Sequence, residues 1–263
     1  MSVITLTTDF GQRDGFVGIM KGVIWGIYPE ARLVDLSHEV EPQNIRQAAY
    51  ILHRAVPFFP PGTVHLAVVD PGVGTHRRPL AARLGKQFFV GPDNGLMSLL
   101  LKHAESLGES IEIVHLNRSE YWLHPLSTTF HGRDLFAPIA AHLARGVPLS
   151  DLGTPIDDPV RLDFPEPRQQ GKTWKALVVY VDRFGNLMTN LSAAQLGSSL
   201  AGVRIRIGDH RIEGVAPSYG HRPVGSLVAV IDSDGFLEIA LVNGNAAHKL
   251  GLKEGDIVEV ECP

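Results

Sequence analysis

The sequence has a single cysteine, no apolar run of membrane-spanning length and no long stretch of basic residues. The lone Cys262 excludes an internal disulfide framework and a metal site made of clustered cysteines. Without a basic run, and with a formal net charge of −4, the chain lacks the electrostatic footprint of a nucleic-acid or membrane-surface protein. The first residues also lack the basic start and long apolar core of a signal peptide. We therefore expect a cytoplasmic protein with a small-molecule partner.

What the sequence does contain is typical of a globular protein, with 44% hydrophobic and 20% charged residues among 263. Strand and helix patterns alternate through residues 1–154, which predicts an α/β N-terminal domain with a mainly parallel central sheet. Residues 155–170 combine four prolines with several acids and predict a linker. Residues 171–263 show short strand patterns at regular spacing, which predict a smaller, all-β, barrel-like C-terminal domain.

A buried strand followed by a charged, glycine-containing loop stands out at residues 64–78. Asp70 ends the apolar run, and Pro71 cannot continue strand pairing through its own nitrogen. Arg77 follows at a distance from which it can fold back toward the carboxylate. Because ligands of open α/β sheets bind at the carboxyl ends of the strands, this loop is a candidate binding site.

Acidic residues follow other strands as well. Asp9 ends the first strand, so in a parallel sheet its carboxylate should face the same crevice as that of Asp70. Asp14 precedes a helix, where an N-cap role and a binding role are both open. His38 and Glu39 occupy another loop that follows a strand, but such a pair alone is weak evidence for a metal site.

Two further segments concentrate polar groups. Residues 127–134 open a helix, where free backbone N–H groups favour anionic or hydroxyl ligands, although Asp134 can equally be a cap and His131 an ordinary histidine. Residues 182–190 bring an aromatic ring together with amide and carboxylate groups, which suits a flat heterocycle with polar edges. A tight turn without a ligand explains the same residues, and the turn at residues 232–238 has the same two explanations.

Four of these motifs recur together in one known family. In chain order they are Thr8-Asp9-Phe10-Gly11, Val69-Asp70-Pro71-Gly72-Val73-Gly74-Thr75 with Arg77, Phe130-His131-Gly132-Arg133-Asp134, and Asp182-Arg183-Phe184-Gly185-Asn186. Over essentially the full chain this set resembles the S-adenosyl-L-methionine hydroxide adenosyltransferase family, whose relatives include the fluorinase and chlorinase. The resemblance implies an N-terminal α/β domain, a C-terminal β-barrel, and a homotrimer whose sites lie between one subunit's N-terminal domain and its neighbour's C-terminal domain.

The resemblance also implies the reaction, which is hydrolysis of S-adenosyl-L-methionine to adenosine and L-methionine by an oriented water or hydroxide attacking ribose C5′. No metal or other cofactor is expected, because a sulfonium is already an activated leaving group. The halogenases have other residues where Asp70 and His131 stand, and the fluorinase has a serine in place of Gly132. A charged Asp70 would repel a halide, so these departures favour water as the nucleophile.

The family's site residues carry over to matching positions. The catalytic, water-handling group is Asp70, Arg77 and His131, and the substrate-binding group is Asp9, Asp14, Phe130, Asp182, Phe184, Asn186 and Ser233. Within the second group the resemblance implies that Asp9 binds the ribose hydroxyls and Asp14 lies near the substrate's polar end. It likewise implies that Asp182 binds the methionine amino group, that Phe184 and Asn186 surround the adenine, and that Ser233 matches a carboxylate-binding serine. The halogenases have an arginine where Asp234 follows Ser233, which weakens that last match.

The identity of the proton acceptor stays open at this point. A guanidinium beside a carboxylate keeps it ionised and makes it a poorer base, so we interpret Asp70 and Arg77 as a water-positioning pair. His131 is the better proton acceptor on this reasoning, because a histidine ordinarily titrates near neutral pH.

Two other functions fit some of the same residues. A metal-dependent phosphoesterase would use the acids and the histidine at strand ends, namely Asp9, Asp14, His38, Asp70 and Asp93. A sensor or scavenger would bind S-adenosylmethionine or adenosine without turnover. Sensitivity to a chelator distinguishes the first function, and retention of substrate without methionine release distinguishes the second.

Overall fold

The structure is a computed structural model that describes residues 2–263. The chain forms two compact units, of which the first ends at Leu162 and the second comprises Asp163–Pro263. Residues of the predicted linker are found in both units. Residues 156–162 are hydrogen-bonded to the first unit, whereas Arg168–Gln170 form a strand of the second.

The first unit is built on a seven-stranded sheet. Its strands are β1 Val3–Thr8, β2 Arg32–Ser37, β3 Val64–Val68, β4 Pro79–Leu84, β5 Gln87–Pro92, β6 Ile111–His115 and β7 Thr154–Pro155. In the order β2-β1-β3-β5-β4-β6-β7, the first three pairings are parallel and the last three are antiparallel. The expected mainly parallel sheet is therefore not confirmed, because the short Gly85-Lys86 turn folds β4 and β5 into a hairpin and β6 pairs antiparallel to β4.

Helices cover both faces of this sheet. They are α1 Phe16–Ile27, α2 Ile45–Ala55, α3 Ser98–Ser106, α4 Ala137–Ala144 and α5 Leu149–Leu152, and a π-helical turn at Gly132–Phe136 leads directly into α4. Helices α1 and α4 pack their apolar sides in one core, whereas α2 and α3 pack in a second core. β3 lies between these layers and is buried along its whole length. None of the helices in residues 2–263 is both long enough and apolar enough to cross a membrane.

The second unit is a nearly closed, barrel-like sheet. Its strands are β8 Arg168–Gln170, β9 Thr173–Val181, β10 Leu187–Ser192, β11 Arg204–Ile207, β12 His210–Glu213, β13 Leu227–Ile231, β14 Phe236–Leu241 and β15 Ile257–Glu261. The order is β12-β11-β15-β9-β10-β14-β13, with β8 paired to β9. Just past β12, the N–H of Ala216 donates to the carbonyl of Ala229 on β13 at 2.8 Å, which brings the two ends of the sheet together. Two short helices, α6 Ala193–Leu196 and α7 Ala246–Leu250, pack on the larger of the unit's two apolar clusters.

Candidate active site

Two parallel strands of the first unit end at the same place. Thr8 of β1 pairs with Val68 of β3, so Asp9 and Asp70, which follow these strands, emerge at the same edge of the sheet. Both acids line one cavity of about 430 Å³, as the sequence predicted for a parallel pair. The other lining residues are Phe10, Phe16, Pro42, Gln43, Val68, Pro71, Val73, Thr129, Phe130, His131 and Gly132. This volume suits a small-molecule ligand.

Two nitrogens of Arg77 donate hydrogen bonds to the carboxylate of Asp70. Its Nε lies 3.0 and 2.9 Å from the two carboxylate oxygens, and its Nη2 lies 2.5 Å from Oδ2. The side chain of Asp70 is 5% exposed and that of Arg77 is 9% exposed. A Cβ at Gly72 would lie 3.2 Å from Cγ of Arg77, so glycine leaves room for the arginine to fold back. A bidentate pair of this kind holds the carboxylate in one orientation.

Arg77 also determines which ring nitrogen of His131 carries the proton. Its Nη2 lies 2.7 Å from Nδ1 of the imidazole, and because a guanidinium only donates, Nδ1 must accept. Burial and the charge of Arg77 lower the pKa of His131, against the opposing influence of the Asp70 and Asp134 carboxylates. The ring is therefore neutral at pH 7 with its proton on Nε2. With Nδ1 bonded to Arg77 and the ring also hydrogen-bonded to the backbone of Ser127, the geometry does not support the hypothesis that His131 is the proton acceptor.

The segment before His131 is held by buried contacts. The carboxylate of Asp134 accepts from the N–H of Ser127 at 2.8 Å and from Nε of Arg133 at 2.6 Å, so Asp134 anchors this segment. A Cβ at Gly74, whose φ is +76°, would lie 2.4 Å from the carbonyl oxygen of Thr128. The loop that carries Asp70 therefore touches the segment before His131, and only glycine permits this approach.

Asp9 is oriented by a residue that the sequence analysis missed. The N–H of Gln43 donates to Oδ2 of Asp9 at 2.8 Å. Gln43 has a φ of +67°, a left-handed conformation that is uncommon outside glycine, and it lines the cavity. No local sequence pattern announces such a residue. Asp14 is exposed and is absent from the cavity wall. The N-cap of α1 is Gly15, so the capping interpretation of Asp14 is wrong.

An aromatic cluster forms one wall of the cavity. Phe10, Phe16 and Phe130 contact one another edge to face, with ring centroids 5.3–6.0 Å apart. Phe16 is 43% exposed although its ring is packed in this cluster. Aromatic rings attract both flat apolar groups and cations, so this wall suits a ligand with either feature.

In the second unit, Asp182 organises its own turn. Its Oδ1 accepts from the N–H groups of Phe184 and Asn186, each at 2.8 Å, and its Oδ2 accepts from Nδ2 of Asn186 at 3.0 Å. Gly185 has a φ of +80° and lies directly against the side chain of Asn245. The tight-turn interpretation is confirmed. The turn also presents Phe184, which is 75% exposed, whereas Asn186 is buried.

The turn between β13 and β14 repeats this construction. Oδ1 of Asp232 accepts from the N–H groups of Asp234 and Phe236, each at 2.9 Å, and Gly235 has a φ of +84°. Ser233 stands exposed at the tip of this turn. The role predicted for its hydroxyl stays a prediction.

A buried acid near these turns also escaped the sequence analysis. Glu238 on β14 is 5% exposed and accepts from the hydroxyl of Tyr219 at 2.6 Å. Burial, Glu238 and the charges of Asp182 and Asp232 together raise the pKa of Tyr219. This part of the second unit is therefore electronegative, which suits a cationic group. The signal was a glutamate in the otherwise apolar strand Phe236–Leu241.

The residues of the phosphoesterase hypothesis do not gather at one point. Nδ1 of His38 lies 2.8 Å from the hydroxyl of Thr8, and Asp93 is bonded to Nε of Arg78 at 2.9 Å. Neither lines the cavity that Asp9 and Asp70 share. Within residues 2–263, no group of three or more histidine, cysteine, aspartate or glutamate side chains is placed to hold a metal ion.

The fold and the cavity define a two-unit protein whose mixed sheet places the Asp70 carboxylate and the His131 imidazole, joined by Arg77, at the wall of a cavity of small-molecule size. The chain belongs to the SAM hydroxide adenosyltransferase family. Residues 4–153 match the family's N-terminal domain and residues 176–259 match its C-terminal domain. The resemblance found in the four motifs is thereby confirmed.

Curated relatives extend over nearly the whole chain. The chain is 40% identical to an (R)-S-adenosyl-L-methionine hydrolase of Salinispora arenicola, covering 98% of this chain and 97% of that protein. It is 42% identical to one of Thermus thermophilus, covering 97% and 98%. A fluorinase of Actinoplanes sp. is 26% identical, covering 98% and 97%. Among solved structures, an uncharacterized conserved protein from Thermotoga maritima matches with a TM-score of 0.90 and 38% identity over 100% of both chains.

Proposed function

We propose that the protein is an enzyme that hydrolyses S-adenosyl-L-methionine to adenosine and L-methionine. The observation that carries this proposal is the buried Asp70–Arg77 pair with His131 beside it at the wall of a small-molecule cavity. The substrate comes from the relatives, since the two hydrolases at 40% and 42% identity bear its name.

The substrate determines what the protein must supply. A sulfonium leaves as a neutral thioether, so the bond to sulfur breaks without a metal ion, an acid or another cofactor. Water forms the new bond to ribose C5′, the electron pair of the broken bond moves to sulfur, and one proton is released. The residues must hold the water in line with the C5′–S bond and accept a hydrogen bond from it.

Asp70 and His131 divide this work. The carboxylate of Asp70 accepts a hydrogen bond from the water and orients it, and the proton of the water leaves to solvent as the carbon–oxygen bond forms. Arg77 keeps that carboxylate in place. The imidazole of His131, held by Arg77 and by the backbone of Ser127, lies at the cavity wall and helps to position the water. An ionised Asp70 also repels halide ions, which favours water as the nucleophile.

The remaining predicted residues bind the substrate in this proposal. Asp9 takes the ribose hydroxyls, Phe130 and the rings beside it lie against the sulfonium end, and Asp14 lies near the substrate's polar end. The binding residues of the second unit are Asp182 for the methionine amino group, Ser233 for its carboxylate, and Phe184 with Asn186 for the adenine. The family resemblance supports a homotrimer in which each site joins the first unit of one subunit to the second unit of its neighbour.

Isotope labelling tests the reaction. The protein is incubated with S-adenosylmethionine and a chelator in ¹⁸O-labelled water, and the products are analysed by mass spectrometry. We expect methionine, and adenosine labelled at its 5′ oxygen. Unlabelled adenosine, or a chlorinated product at a comparable rate in high chloride, contradicts the proposal. Loss of activity with the chelator would indicate a metal enzyme, and bound substrate without methionine would indicate a binding protein.

Subunit exchange tests the shared site. At substrate concentrations well below the KM of the Asp182→Ala protein, Asp70→Asn and Asp182→Ala should each show little activity, because the first slows turnover and the second weakens binding in every site. Mixed trimers contain an interface that carries neither lesion, so activity should reappear after exchange. No recovery despite demonstrated exchange would place both groups of residues within one chain.

A further inference from the structure

His38 is a buried histidine that the proposed chemistry does not use. It follows β2, is 3% exposed, and lies behind the loop that carries Asp9. The sequence singled it out as half of a weak His-Glu metal pair and as a residue of the phosphoesterase hypothesis. Its contacts indicate a different role.

His38 holds both ends of the segment Thr8–Gly11. Its Nδ1 lies 2.8 Å from the hydroxyl oxygen of Thr8. Its backbone carbonyl accepts from the N–H of Gly11 at 2.8 Å. Since Asp9 stands between these two attachments, the backbone that carries its carboxylate is fixed on both sides.

The segment has one further internal contact. The N–H of Phe10 donates to the hydroxyl oxygen of Thr8 at 3.3 Å. The Thr8 oxygen therefore joins the imidazole of His38 to the backbone on the far side of Asp9. With Gln43 bonded to the carboxylate itself, both the backbone and the side chain of Asp9 are held.

The other side of the imidazole is anchored by an acid. Nε2 of His38 lies 2.9 Å from Oδ1 of Asp35, whose Oδ2 accepts from Nζ of Lys21 at 2.6 Å. Burial acts to raise the pKa of Asp35, but the contacts with Lys21 and His38 outweigh it and lower that pKa. A carboxylate this close to Nε2 favours the tautomer that carries its proton on Nε2. Nδ1 is then the acceptor for the Thr8 hydroxyl, whose lone pairs are left for the N–H of Phe10.

We infer that His38 is a positioning residue that acts through Thr8 to place the Asp9 carboxylate against the ribose hydroxyls. The inference rests on the proposed function in assigning the ribose to Asp9. It extends that function by making recognition of the ribose depend on a relay that starts at Lys21, outside the cavity wall.

The chain offers a matched control on the same strand. His65 is 1% exposed, and its Nδ1 lies 2.8 Å from the hydroxyl oxygen of Thr5 on β1. His65→Leu therefore removes the same kind of buried contact from the same strand, but at Thr5, whereas the Thr8 contact is directly next to the cavity residue Asp9. A general loosening of β1 would affect both variants alike.

The experiment compares His38→Leu with His65→Leu. Calorimetric titration with adenosine and with 2′-deoxyadenosine measures how much the 2′-hydroxyl adds to the binding affinity of each protein. We expect His38→Leu to bind adenosine about tenfold more weakly and to lose most of its preference over 2′-deoxyadenosine, as expected for a lost hydrogen-bonding group. KM for S-adenosylmethionine should rise similarly, whereas kcat should change by less than about threefold. His65→Leu should keep both the affinity and the preference of the wild type.

Two further variants keep the test decisive. His38→Asn can offer its amide oxygen to Thr8 and should recover part of the preference. If His38→Leu does not fold, Thr8→Val removes the same contact and should give the same loss. The inference is overturned if His38→Leu prefers adenosine over 2′-deoxyadenosine as strongly as His65→Leu does. The same holds if Thr8→Val shows the preference of His65→Leu. A wild type that prefers adenosine but releases no methionine contradicts the proposed reaction alone, and one that shows no ribose preference contradicts the inference itself.

Discussion

Two carboxylates of this protein, Asp70 and Asp182, have hydrogen-bond partners of different kinds. Asp70 is bonded to a guanidinium that in turn contacts an imidazole far away in the sequence. Asp182 is bonded to backbone and amide N–H groups of its own turn. The first carboxylate is held by tertiary structure and charge, whereas the second satisfies local backbone donors.

The difference shows what an acidic residue after a strand signifies. A carboxylate that accepts its neighbours' N–H groups has a complete structural explanation, which Asp232 repeats in a second hairpin. Asp70 has no such explanation, because its partners come from a loop and from a helix start that fold together around it. We therefore expect losses at the first site to affect the chemical step, and losses at the second to affect affinity and the turn.

Asp70→Asn should have the largest effect. Removing the charge leaves Arg77 without its counter-ion and the water without an acceptor, so kcat should fall by roughly 10²-fold or more while substrate affinity changes little. Single-turnover rates at saturating substrate and calorimetric titration measure the two quantities separately. The matched control is Asp93→Asn, which disrupts the neighbouring Arg78–Asp93 pair and should cost stability but not kcat. Normal turnover with failed binding in Asp70→Asn would make Asp70 a substrate ligand.

Asp182→Asn sharpens the other half of the comparison. An asparagine oxygen still accepts the two backbone N–H groups of the turn, so this variant removes the charge and loses only the bond from Nδ2 of Asn186. If Asp182 pairs with the substrate ammonium, affinity should fall about tenfold with kcat unchanged, and Asp182→Ala should lose more. Asp232→Asn serves as the control for an identical turn. Wild-type affinity in Asp182→Asn, together with weak binding in Asp182→Ala, would reduce Asp182 to a turn residue.

Much of the fold follows from local pattern, and the exceptions have identifiable causes. The sequence pattern predicts helix α2, because the spacing of Ala48, Ala49 and Leu52 puts them on one helical face, and these residues are buried. The sequence pattern does not indicate strand β10, because apolar and polar residues do not alternate clearly in its Met-Thr-Asn-Leu segment. The polar Thr189 is nevertheless buried, because its hydroxyl donates to the carbonyl of Leu237. The share of parallel strands was overestimated. The sequence indicates a hairpin of β4 and β5, but it does not indicate that β6 will pair with β4.

The candidate site was predictable only in part. The common position of Asp9 and Asp70 follows from strand order alone. Gln43 and His38 were not found as site residues, because their roles come from contacts between loops that adjacent strands bring together. The neutral state of His131 depends on an arginine contact that no spacing rule specifies.

Phe184→Leu should give a smaller effect in the second region. The ring is 75% exposed, so losing it should leave the free energy of unfolding within about 0.5 kcal/mol of the wild type. Stacking on an adenine would be lost, and substrate affinity should fall about threefold to tenfold by titration. Phe58→Leu, at a comparably exposed ring of the first unit, is the control and should not alter binding. Unchanged affinity in Phe184→Leu would remove this ring from the site.

The smallest expected effect is a pH dependence confined to the first region. Burial and Arg77 lower the pKa of His131, so the neutral, active ring persists below the ordinary histidine value of about 6.5. Because protonation would remove the acceptor for Arg77 and add a like charge beside it, kcat should fall as the pH drops through that lowered pKa. At pH 6.5 more than half of the rings are still neutral, so kcat should retain more than half of its value at pH 8. A bound sulfonium acts in the same direction, since a second cation disfavours protonation. Titration of the His131 ring by NMR, set beside the rate profile, identifies the group; an acid limb centred above pH 6.5 would contradict the neutral, Nε2-protonated histidine.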